Sequence, residues 1–105
     1  MTDKLIVFVT CGGREEAETI ARAVVEARLA ACVNVAPGVR SCYLWEEKVQ
    51  WSDEVLLLIK TTQARFASLQ ARILELHSYE IPEIVAVPVG AGFDKYLDWI
   101  SKSVE

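Results

Sequence analysis

The chain carries a single histidine, His77, followed at close spacing by Tyr79, Glu80 and Glu83. Imidazole nitrogen and carboxylate oxygen together make a donor set for Cu(II) or Zn(II), which makes His77 and Glu83 the candidate ligands. A histidine closing a helix is also favoured by the negative end of the helix dipole, with no ligand involved. Other groups admit a chemical reading and a plainer one. Gly12-Gly13 resembles an anion cradle, but it lacks both G-x-G-x-x-G and a P-loop lysine, and Glu15 and Glu16 would repel phosphate; a turn is the better account. Glu46, Glu47, Asp53 and Glu54 have neither a nucleophile nor a second histidine beside them, so they read as a solvated face rather than an acid–base pair. Lys60-Thr61-Thr62 forms a corner that suits a ligand cleft together with Tyr79, and it suits helix capping still better. Tyr43, Trp45, Trp51 and Trp99 would stack a planar ligand or, as we favour, pack at a subunit interface. Nothing in the sequence activates Cys11, Cys32 or Cys42, and one histidine builds no Ser-His-Asp or Cys-His pairing, so the sequence does not read as that of an enzyme.

The totals narrow the field. A chain of 105 residues fits one domain, here 1–105, and can bury a core without disulfides. With 52% hydrophobic and 25% charged residues it is not a disordered chain. A net charge of −4 argues against a nucleic-acid partner bound by a basic face. No apolar run approaches the roughly 20 residues that span a bilayer, so no membrane partner is expected. Met1-Thr2-Asp3-Lys4 shows no secretion signal, and three cysteines without a C-x-x-C pair suit reduced thiols in the cytoplasm.

The elements that must position these side chains follow from periodicity. Lys4 to Thr10 is a strand apolar on both faces. Cys11-Gly12-Gly13 turns the chain into a helix over 14–28, with Ala17, Ile20, Ala21, Val24 and Val25 on one stripe. Leu29 to Val35 returns as a strand and Pro37-Gly38 marks a bend. A long hairpin follows, with arms Arg40–Trp45 and Val49–Thr61. Its tip, Glu46-Glu47-Lys48, has no Asn-Gly or Asp-Gly pair and is expected to be a loop rather than a two-residue turn. Thr61 or Thr62 is expected to cap a helix over 63–76, with Phe66, Leu69, Ile73 and Leu76 inward. His77 to Glu83 is a polar loop, Ile84 to Val89 a strand with Pro88 near its end, and Phe93, Leu97, Ile100 and Val104 mark a terminal helix.

The order β-α-β-β-α-β plus a helix predicts an α+β, ferredoxin-like sandwich with an extended hairpin. A sheet covered on one face should alternate apolar and polar residues, yet the strands over 4–10, 55–59 and 84–87 do not. One short terminal helix cannot cover that second face, and the far end of a hairpin this long outreaches the core. Self-association through the second face and the hairpin residues Tyr43, Trp45 and Trp51 is the expected answer.

Several runs resemble the CutA family of divalent-cation tolerance proteins: ARLAACVNV followed by PG; Tyr43-Leu44-Trp45-Glu46-Glu47-Lys48; Leu58-Ile59-Lys60-Thr61-Thr62; and His77-x-Tyr79-x-x-Pro82-Glu83 with Asp94-x-Tyr96-Leu97-x-Trp99. They span nearly the whole chain. The resemblance implies a ferredoxin-like fold, a cytoplasmic homotrimer with hairpins paired between subunits, and association with divalent metal ions, copper above all. His77 matches a histidine in the family's metal loop, although Leu76 stands where some members have a second one. The cysteine assigned to metal in some members falls on Val9, and Cys11, two residues along the same side of the strand, is the substitute candidate. The architecture also resembles that of PII signalling proteins, which gives a second expectation: a trimeric sensor or scaffold binding a small ligand between subunits, near Lys60, Tyr79 and Glu83.

Overall fold

The computed structural model describes residues 2–105. Its elements run β1 (Lys4–Cys11), α1 (Arg14–Glu26), β2 (Cys32–Trp45), β3 (Lys48–Thr62), α2 (Phe66–Leu76), β4 (Ile84–Pro88) and α3 (Asp94–Ser103), with one 3-10 turn (Gln63–Arg65) leading into α2. The four strands form one antiparallel sheet in the order β2-β3-β1-β4. This is the expected ferredoxin-like arrangement.

The apolar strands acquire different environments on their two faces. Leu5, Val7, Val9 and Cys11 of β1 and Val55, Leu57 and Ile59 of β3 are buried against Ala17, Ile20 and Val24 of α1 and Leu69 and Ile73 of α2. On the opposite face α3 buries only a small cluster, Ile100 and Val104 with Ala31 and the flanking Leu97. Val85 and Val87 of β4 stay exposed there.

Local chemistry explains where α1 ends. Arg28 takes the left-handed conformation (φ 58°), which lets its N–H donate to the Val25 carbonyl and the Leu29 N–H to that of Val24. This is a Schellman closure built without glycine.

Three sequence expectations are corrected. The chain from Cys32 to Trp45 is one continuous strand that begins after Ala31 rather than at Leu29. Pro37-Gly38 is absorbed as a bulge between Ala36 and Val39, with Gly38 at φ 85°. The hairpin tip is a two-residue turn, because Trp45 pairs with Lys48 and both Glu46 (φ 51°) and Glu47 (φ 66°) adopt positive φ. Long pairing on both sides imposes this geometry on residues that do not favour it. Neither threonine caps α2: Thr62 makes no side-chain cap bond, and the buried Thr61 hydroxyl donates to the Leu29 carbonyl at 2.7 Å, pinning the α1–β2 connection to β3.

The hairpin stands well away from the sandwich, in a molecule 44 Å long and about 25 Å across. Leu44 (70% exposed), Val49 (68%) and Trp51 (59%) lie on it, with Tyr43 and Trp45 less exposed.

Candidate divalent-cation site

Three elements meet where β1 ends. Cys11 is the last residue of β1 and fully buried; Glu16 lies in the first turn of α1; His77 follows α2 and is buried. The Cys11 thiol, a Glu16 carboxylate oxygen and a His77 ring nitrogen all lie within 4.8 Å of one another. His77 and Cys11, chosen from sequence, are thus brought together. Glu16 completes the set; in the sequence it counts only as a charge that would repel phosphate at Gly12-Gly13. Glu83 is outside it and lines a neighbouring groove instead.

Hydrogen bonds fix the imidazole. Nε2 lies 2.7 Å from the Thr10 carbonyl, which can only accept, so Nε2 carries the proton. Nδ1 is then the acceptor, and it takes the Tyr79 backbone N–H at 3.1 Å. A ring N–H held by a backbone carbonyl is how proteins commonly orient a metal-ligating histidine with its other nitrogen forward. The Glu16 carboxylate accepts the Ser78 backbone N–H at 2.9 Å. Burial raises the Glu16 pKa, but the bonds from Ser78 and a Gly12 backbone bond work against it, leaving the carboxyl below its usual range. Burial, reinforced by the negative charges of Glu16 and Glu54, pushes the Cys11 thiol up to about 12. Thiolate, imidazole and carboxylate suit a borderline divalent ion such as copper or zinc, and such an ion would have to displace the Cys11 proton.

The family model described as CutA1 divalent ion tolerance protein matches residues 5–103. The chain belongs to this family. The divalent-cation tolerance protein CutA of Thermus thermophilus is 48% identical over 98 residues, covering 93% of this chain and 95% of that protein. The Thermus structure superposes with a TM-score of 0.95 at 46% identity, over 97% of this chain and 99% of that one. The CutA structure from Xylella fastidiosa gives 0.97 at 39% identity, over 99% and 100% of the two chains. The human protein CutA is 44% identical over 93% of this chain but only 55% of its own length, so this chain spans about half of that relative.

Beside the three-donor cluster lies a groove of about 760 Å³ between the hairpin and the 79–83 loop, with Tyr43, Trp45, Glu54, Tyr79 and Glu83 in its walls. Glu54 is only 8% exposed, and the Tyr79 hydroxyl donates to it at 2.8 Å. Burial, then this bond and the Glu54 charge, raises the Tyr79 pKa. Gly12 permits the approach, since a Cβ there would sit 3.2 Å from the Tyr79 hydroxyl oxygen. Lys60, the other cleft candidate, lies six residues along β3 from Glu54, roughly 20 Å away, and donates to the Asn34 side chain. Within one chain, then, Lys60 and Tyr79 line different regions. Trp51 lies under the Arg40 guanidinium, 5.0 Å from the ring centroid, and Trp99 stacks on Tyr96.

Proposed function

We propose that this protein binds a divalent metal ion, copper foremost, through Cys11, Glu16 and His77, and serves as a homotrimer in tolerance of such ions. The observation that carries the reading is the convergence of three unlike donors from three separate elements within 4.8 Å. The names of the relatives, divalent-cation tolerance proteins, support a metal-related role. The exposed apolar residues of the hairpin and β4 support assembly, since large apolar surface left in water is costly. We read the protein as a binding protein rather than an enzyme. Its three cysteines are unpaired, which suits a reducing compartment, and we place it in the cytoplasm, which cell fractionation checks.

A second reading, a PII-like sensor holding a small ligand between subunits, draws support from the groove beside Tyr79 and Glu83. Native mass spectrometry with and without one equivalent of Cu(II) separates the two. Three copies of an 11.7 kDa chain give a species near 35 kDa. That species should take up copper in the wild type and lose it in His77→Ala. A trimer indifferent to copper would move the assignment to the sensor; a monomer would overturn the assembly.

A further inference from the structure

The bonds around the three-donor cluster share one origin. Ser78 and Tyr79 are consecutive, and their backbone N–H groups occupy Glu16 Oε2 and His77 Nδ1 respectively. The Nδ1 lone pair is the one available for coordination, because Nε2 is committed as a donor to Thr10. A lone pair cannot serve an N–H and a cation at once. The one imidazole lone pair is therefore taken by this two-residue segment, which also tethers one oxygen of the Glu16 carboxylate, and moving the segment would free Nδ1 and release Glu16 together. Ser78 and Tyr79 are both exposed, so this movement need not disturb the sandwich core. What restrains it is the far end of Tyr79: the hydroxyl reaches across Gly12 to the buried Glu54, and the ring packs against His77 at a centroid distance of 4.7 Å.

We propose that the Ser78–Tyr79 segment is a latch that holds the Cys11–Glu16–His77 cluster shut against cations, fastened by the hydrogen bond from Tyr79 to Glu54. The inference rests on reading the cluster as a divalent-cation site. It adds that the site is regulated by its own loop, and that cation binding and loop docking exclude each other. Apparent affinity is then the intrinsic affinity multiplied by the open fraction, so loosening the fastening strengthens binding without touching a ligand. Release of Tyr79 would at the same time uncover Glu54 in the groove, coupling the two regions.

The test uses Zn(II), which does not oxidise the thiol, with titration calorimetry on the wild type, Tyr79→Phe and Cys11→Ala, and amide hydrogen exchange by NMR on the same proteins. Loss of one phenol–carboxylate bond should raise Zn(II) affinity about tenfold in Tyr79→Phe. Exchange at the Ser78 and Tyr79 amides should quicken in that variant without metal, and in the wild type when Zn(II) is added. Cys11→Ala should abolish uptake. If Tyr79→Phe fails to fold, Glu54→Gln, which still accepts from the phenol but without charge, should give a smaller rise of the same sign. Unchanged exchange at both amides in metal-free Tyr79→Phe overturns the latch, whatever Zn(II) does. Quickened exchange with no Zn(II) uptake by any variant overturns the cation reading, and with it the latch's role, while showing that the loop moves as described. Zn(II) bound through Cys11 with both amides still protected overturns mutual exclusion.

Discussion

At the scale of single residues, the cluster shows how position decides what a side chain does. Burial, with the carboxylates of Glu16 and Glu54 as charged neighbours, holds the Cys11 proton on well above the ordinary value of 9.0. An unfolded chain would release that proton near pH 9, whereas the folded chain keeps it to about 12. The corresponding stability is fully present below pH 9 and is lost as pH climbs from there towards 12, at up to about tenfold in the folding equilibrium per pH unit. Urea unfolding between pH 8 and pH 10.5 should show this decline in the wild type and a shallower one in Cys11→Ala. An equal decline in both would assign the alkaline loss to another group, Tyr79 being the first to examine. His77 was visible in the sequence because it stands alone, and Cys11 because of its place in the resembling strand. Glu16 was not, since it is 61 residues before His77 and a glutamate in a first helical turn already has a sufficient explanation in the dipole. The signal was its distance of five residues from Cys11 across a two-glycine turn, which folds the start of α1 back beside the end of β1.

At the scale of elements, the hydrophobic periods located the helices and most strands, but split β2 into 29–35 and 40–45, and they failed where tertiary pairing overrides local preference. The hairpin tip is the clearest case. Glu46 and Glu47 carry none of the usual marks of a two-residue turn, yet unbroken pairing from Val39 to Trp45 leaves only two residues to reverse the chain. Two non-glycine residues at positive φ make this turn strained. Replacing Glu46-Glu47 with Asn-Gly should therefore stabilise the protein by about 1 kcal/mol, raising the melting temperature by a few degrees in differential scanning calorimetry. A lower melting temperature would mean that the glutamates make compensating contacts elsewhere. The bulge at Pro37-Gly38 was misread for a related reason: a proline and a glycine look like a chain break, but an edge strand tolerates both, and β2 is an outer strand of the sheet.

At the scale of the whole molecule, the sequence signalled a sheet with too much apolar surface for one covered face, and the structure bears this out in Val85, Val87 and the hairpin. Trp51 tests what covers it. A glutamate there would bring a charge, with the Arg40 guanidinium as its neighbour, into the proposed subunit contact, where desolvating it is costly. Trp51→Glu should accordingly shift the native mass from about 35 kDa towards 11.7 kDa and lower the melting temperature by more than a surface change does. An unchanged mass and melting point would place Trp51 outside the contact. The strand order carries a further consequence. With β2 at one margin of the sheet and β4 at the other, each copy presents two different free margins, a donor side and a receptor side. Copies that add margin to margin close into a ring of three if each step turns by a third of a circle with no rise along the axis; a step that does not divide the circle, or that climbs along the axis, gives an open, growing filament. A substitution that tilts the hairpin without covering either margin would therefore yield fibres rather than free subunits, and light scattering would reveal it before any loss of helix or strand.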